Sequence, residues 1–176
     1  MPNENSIDIR RAVRESQSFQ QLAQVALERL KRRDKKVSIV CGPITTGGTG
    51  TRQDNLEVFR AVIRALKSQK IELFNQMPYE SGLKRLAQAW QRNGGVGYCT
   101  QILDEFFLPL FESGYIERAF FTHGWWTSTG AKWEHDVCLR MELKVAHLHS
   151  SEMSSLLRSS HPPEQVKGIM ARVLAP

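Results

Sequence analysis

The sequence predicts an α/β fold: one three-layer domain on a parallel sheet of four to five strands, preceded by a helix. Three observations carry this. Short apolar, β-branched runs alternate with longer runs of helical periodicity, the pattern of parallel strands joined by right-handed helical crossovers. A glycine-rich turn directly follows the first such run, where an open α/β sheet can receive an anion at a helix N-terminus. The length of 176 residues and 41% hydrophobic content fit one ordinary domain with a real core.

The elements follow in order. From about Ser16 to Arg33 the apolar positions Phe19, Leu22, Ala26 and Leu30 recur at helical spacing, which gives an amphipathic helix ahead of the main domain. Val37 to Cys41 is a short apolar run suited to a central parallel strand. The turn from Gly42 to Thr51 comes next, then a helix with Leu56, Phe59, Val62, Ile63 and Leu66 on one side. Ile71 to Asn75 reads as a second strand, stopped before Pro78, and Leu83 to Gln91 as a helix. After the break at Gly94 to Gly97, Thr100 to Phe111 reads as a helix that Pro109 bends or shortens. Ala119 to His123 is the next strand. Ala131 to Glu142 is a helix with Trp133, Val137 and Met141 on one face and Glu134 in its first turn, and Lys144 to His147 is a last strand. Ser150 to Pro163 is serine-rich and ends in His-Pro-Pro, the composition of a loose connection, and Val166 to Leu174 suits a short helix. The expected division is thus an N-terminal helical extension over 1–35, a flavodoxin-like or Rossmann-like domain over 36–149, and a connection with a final helix over 150–176.

The formal charge of +6 and pI near 9.5 favour anionic partners. Much of that charge is local. Arg29, Lys31, Arg32, Arg33, Lys35 and Lys36 suit a solvated helix end, with an RNA-binding arm as the alternative that the sequence favours less. Cys41, Cys99 and Cys138 are far apart and form no Cys-x-x-Cys pair, so they read as reduced, buried thiols rather than a zinc knuckle or disulfide framework. The N-terminus lacks a leader pattern, and no apolar run approaches the ~18 residues that span a bilayer. A cytoplasmic protein without membrane contact is the expectation. His123, His135, His147 and His149 offer a possible metal set, but no two share a recognised ligand pattern with a carboxylate, so structural or surface roles are expected instead, and no metal or cofactor is expected.

Three segments together resemble the nucleoside deoxyribosyltransferase-like superfamily, whose members exchange or hydrolyse N-glycosidic bonds. The first is Val40-Cys-Gly-Pro-Ile44 with its glycine-rich turn, Arg52, Asn55 and Phe59. The second is Leu73-Phe-Asn-Gln-Met-Pro78, similar to that family's second strand. The third is Gly124-Trp125 with Ser128, Gly130-Ala131 and Glu134, similar to a Gly-Trp-x-x-Ser-x-Gly-Ala-x-x-Glu signature. Glu117 stands where an aspartate usually precedes the strand. The resemblance spans roughly Val37 to Val145 and implies a nucleoside or nucleoside 5′-monophosphate substrate, no cofactor, and a homodimer or larger homo-oligomer.

It also implies roles. Glu134 is the expected nucleophile toward C1′, forming a glycosyl-enzyme ester resolved by water or another base; taken alone, a Glu in a first helical turn is more often a capping residue. Gly42, Pro43, Ile44, Arg52 and Asn55 are expected around a 5′-phosphate or sugar, with a mobile flap as the alternative for the glycines. Trp125 is expected as a base platform, beside Gly124, Ser128 and Gly130 in the turn. Asp104 is the candidate second acid, against an ordinary helix-surface charge. Two other readings stay open. Gly47-Gly-Thr-Gly-Thr-x-x-Asp54 is similar to the lonely-guy phosphoribohydrolase motif, although it follows the first strand, and a non-catalytic nucleotide-binding protein would share the fold.

Overall fold

The computed structural model describes residues 4–45, 47–48 and 51–158. It contains four parallel strands, β1 (Val37–Cys41), β2 (Leu73–Phe74), β3 (Ile116–Phe121) and β4 (Lys144–His147), in the order β2-β1-β3-β4. The helices are α1 (Glu4–Glu15), α2 (Phe19–Lys31), α3 (Arg52–Ser68), α4 (Glu80–Arg92), α5 (Leu108–Glu112), α6 (Thr129–Arg140) and α7 (Ser150–Arg158). The fold is α/β and Rossmann-like, as the alternation predicts. Its residues group into two compact units, one comprising the chain up to Asp34 with Asn75–Tyr115 and the other Lys35–Phe74 with the chain from Ile116. The division expected from sequence, at 35/36 and 149/150, follows chain order; the observed grouping interleaves two stretches of chain in each unit.

The sheet unit is built from the apolar runs. All five residues of β1 are buried, as are Ala119, Phe120 and Phe121 of β3, which suits inner strands covered on both faces. Leaving β1, the chain crosses to β2 on one side; leaving β3, it crosses to β4 on the other. Right-handed crossovers therefore set α3 and α6 on opposite faces. On α3, Leu56, Phe59, Val62, Ile63 and Leu66 form the buried stripe, as their spacing requires. On α6 the buried face is Gly130, Ala131, Glu134, Val137 and Cys138, not the expected Trp133, Val137 and Met141 stripe. β2 is shorter than its apolar run suggests, and β3 begins earlier, at Ile116. From Ser150 to Arg158 the chain is helical rather than loose, and the rest of that segment, to Pro163, lies outside the described residues. The carboxylate of Glu152 accepts the backbone N–H of His149 at 2.7 Å and Met153 is buried, so a cap and an apolar anchor override the serine composition. Residues of the expected helix from Val166 to Leu174 lie outside the described residues.

The helical unit holds α1, α2, a 3₁₀ turn at Met77–Tyr79, α4, a π-helical turn at Ile102–Phe107 and α5. Leu22, Leu30, Tyr79, Phe106 and Leu110 are its largest buried side chains, with the Tyr79 and Phe106 rings 5.6 Å apart. Arg85 donates through Nη2 to the carbonyls of Val13 and Ser16, tying α4 to the end of α1. Pro109 has no N–H to give to the carbonyl four residues back. The chain meets this by widening into the π turn immediately before α5.

Candidate functional site

The strand order reverses between β1 and β3, so the crevice at their carboxyl ends is the switch point where open α/β sheets bind ligands. Thr122 N donates to Cys41 O at 2.9 Å, carrying the pairing one step past the strands. At Gly42 a Cβ would collide with the Thr122 side chain, whose own Cβ lies 3.1 Å from the added atom. Only glycine lets the two strand ends approach this closely.

The glycine turn then folds back on α3 and on the loop after β3. Gly48 has φ +74°, and a Cβ there would meet Pro43 at 2.8 Å and the Asn55 amide, so both conformation and space require glycine. Asn55 is only 4% exposed and donates from Nδ2 to Gly47 O at 3.0 Å and Ile44 O at 3.4 Å. Thr127 Oγ1 accepts from Gly48 N at 2.8 Å and donates to Gly124 O at 2.7 Å. Asn55 and Thr127 are thus the struts of the turn. Pro43 is buried and Ile44 half-buried beside them. Thr51 caps α3, accepting from Asp54 N at 3.1 Å and donating to the Asp54 carboxylate, which accounts for the Thr-x-x-Asp spacing as a reciprocal cap. Arg52 is the half-buried first residue of α3.

Glu134 needs a correction. Helix α6 starts at Thr129 with Ser128 as N-cap, whose side chain accepts from Ala131 N at 3.4 Å; Glu134 is therefore in the second turn and is not a capping-box residue. The reason is local: Ser128 is the better cap in a Ser-Thr pair that lies ahead of the expected start. The helix-terminus field falls off within the first turn, so it gives Glu134 little. The fold buries it, at 5% exposed, beside the Cys41 and Cys138 thiols, on which its charge acts. Burial, then the Glu134 charge, raises Cys41 well above an ordinary thiol and Cys138 to about 12. Both thiols stay protonated, so they serve as weak donors and not as nucleophiles.

Trp125 opens a 3₁₀ turn, Trp125–Thr127, after Gly124. Its ring stacks on His135 at 4.1 Å and 15° and lies 5.6 Å from His147 at 24°, with Phe121 edge-on at 5.4 Å. One face of the proposed base platform is thus lined by imidazole. Trp126 is exposed and meets His123 edge-on at 4.9 Å. Gly130 is buried on α6.

Cys41, Gly42, Pro43, Ile44, Asn55, Gly124, Trp125, Ser128, Gly130 and Glu134 all belong to the sheet unit, around the carboxyl ends of β1 and β3. Asp104 is exposed on the π turn of the helical unit. Glu117 is exposed at the amino end of β3, in an open cavity of about 480 Å³ lined also by Lys35, Lys36, Lys70 and Arg118. Four residues of strand, roughly 13 Å, separate it from Phe121, so Glu117 does not join Glu134. Sequence reasoning missed Thr122 and Thr127, whose roles arise from contacts between segments distant in sequence and leave no spacing pattern; His135 and His147 stand in it only among four histidines expected in structural or surface roles. It also missed Gln76, 2% exposed in the helical unit, whose Oε1 has no partner among the described residues. No group of three or more His, Cys, Asp or Glu side chains converges as a metal site among the described residues, and no described helix is long and apolar enough to cross a membrane. Comparison with known protein families, curated proteins and solved structures finds no match to this chain.

Proposed function

We propose that this protein binds a nucleoside or nucleoside 5′-monophosphate at the β1/β3 crevice and cleaves or transfers its N-glycosidic bond through Glu134. The observation that carries the reading is a buried carboxylate at the switch point, beside the thiol of the last residue of β1. An acid buried in such a cleft is a functional-site candidate. One Glu134 oxygen attacks C1′ as the bond to the base breaks, and the electron pair leaves with the base, which takes a proton from solvent. Water or a second base then attacks C1′ of the ester and returns the carboxylate. The glycine turn, braced by Asn55 and Thr127, supplies backbone N–H groups toward the sugar or phosphate, and Trp125 supplies an aromatic edge for the base.

The test is incubation with a panel of nucleosides and 5′-monophosphates, with free base measured by chromatography. Release is expected from the unaltered protein, and Glu134→Gln should lower it at least ~100-fold, the scale on which a covalent nucleophile acts. An unchanged rate in the Gln variant excludes Glu134. A second reading, a nucleotide-binding protein without turnover, is favoured by the 5% exposure of Glu134, since attack on C1′ requires access. Saturable binding with no base released from any substrate would select it.

A further inference from the structure

We propose that His135 and His147 form a binding site for one divalent first-row transition-metal ion, taken by the two Nε2 atoms and completed by water. The inference stands apart from the glycosidic reading, because it requires no turnover. His135 lies on α6 and His147 is the last residue of β4, and these elements pack together. Their Nε2 atoms face each other at 3.2 Å. A metal–imidazole bond is ~2.0–2.1 Å; two such bonds set the nitrogens about 3.3 Å apart at a tetrahedral angle and about 2.9 Å apart at a right angle, from the same bond length. The observed separation falls between these, so neither ring has to move far.

The rings are also held. Trp125 stacks on His135 at 4.1 Å and Phe121 meets it edge-on at 5.1 Å, while His147, exposed on its outer side, lies tilted 5.9 Å from Phe121. Sites carried on helices and strands with packed rings lose little side-chain freedom on binding. Two nitrogens at this distance accommodate at most one proton between them, and both rings must be neutral at Nε2 for a metal to bind. On binding, a proton on either Nε2 passes to Nδ1 of the same ring or to solvent, and the metal takes both lone pairs. Imidazole nitrogen suits Zn(II), Cu(II) and Ni(II). With two protein ligands the ion keeps open positions occupied by water, so it is exchangeable.

The test uses the full chain, dialysed against chelator. Calorimetric titration with Zn(II) is expected to saturate at one ion per chain. His135→Gln and His147→Gln should each weaken binding by roughly tenfold or more, whereas His123→Gln should not. Thermal melts without metal establish that each variant is folded. If either melts early, the unaltered protein decides alone: its Cu(II) complex should show electron-spin splitting from two imidazole nitrogens. Zn(II) binding no tighter than in the His135→Gln/His147→Gln double variant, or a Cu(II) signal with fewer than two nitrogens, overturns the proposal.

Discussion

Asn55→Asp is the sharpest probe of the glycine turn, because it keeps the shape of the side chain and reverses its hydrogen-bonding sense. Asn55 Nδ2 donates to the carbonyls of Gly47 and Ile44 from a site that is 4% exposed. An aspartate there sets an acceptor against two acceptors, and it must either bury a charge or hold a proton. A buried acceptor left without its donor costs about 1–3 kcal/mol. Keeping the carboxyl neutral at pH 7, about three units above its usual pKa, would cost about 4 kcal/mol. Gly47 is exposed and Ile44 half-buried, so the turn can move away and cap the loss at about 2–3 kcal/mol. For a chain of this length that lowers Tm by roughly 4–12 °C. Calorimetry at pH 7 measures it. The sign with pH is fixed: an aspartyl pKa raised by folding destabilises progressively above about 3.9, so the gap to the unaltered protein should narrow toward pH 4. A melt within ~2 °C of the unaltered protein at pH 7 would refute the strut. A raised KM with no change in Tm would make Asn55 a ligand to substrate instead.

Two further outcomes follow from the packing. The three buried cysteines should resist thiol reagents at neutral pH until the chain unfolds; because folding raises Cys138 from 9.0 to about 12, its contribution is present below pH 9 and is lost as pH rises toward 12, so urea midpoints should fall over that range. Gly42→Ala should destabilise by about 1–3 kcal/mol through overpacking against Thr122, read as a lower urea midpoint; a midpoint unchanged would mean that the strand ends separate freely.

The elements legible in the sequence are those whose burial follows their spacing. β1 and β4 have the expected bounds, and the five residues of α3 expected to be inside are all buried, with Ala61 beside them, because a strand or helix covered on a fixed face must repeat its apolar residues at 2.0 or 3.6. Other elements leave fainter marks. In α1, Ile9 and Val13 are buried at i, i+4 spacing among charged residues, a stripe that the sequence reading did not use. In α7 the serines conceal a helix set by Glu152 and Met153. The carboxylate in the crevice was legible as a residue and misplaced by a turn, since Ser128 caps the helix ahead of the expected start at Ala131. His135 and His147 were legible only as two of four histidines, for the pair exists only when β4 closes against α6.

Glu134 lies on the buried face of α6 by the same periodicity that buries Ala131, Val137 and Cys138, so its position is dictated and its chemistry is not. Fold stability alone would be served by an apolar side chain at this point, because removing a charge from water is costly unless bonds to the charge offset it. Glu134→Gln separates the two explanations. Glutamine retains the shape of the side chain and one acceptor oxygen, and it carries no charge to desolvate. If Glu134 is kept for chemistry, the variant should melt no more than about 4 °C below the unaltered protein, a loss of roughly 1 kcal/mol, while base release collapses. If it is kept for architecture, the loss should instead approach the roughly 3–5 kcal/mol of a broken buried charge interaction, and a fall in Tm beyond ~8 °C would make Glu134 a structural residue whatever happens to the rate.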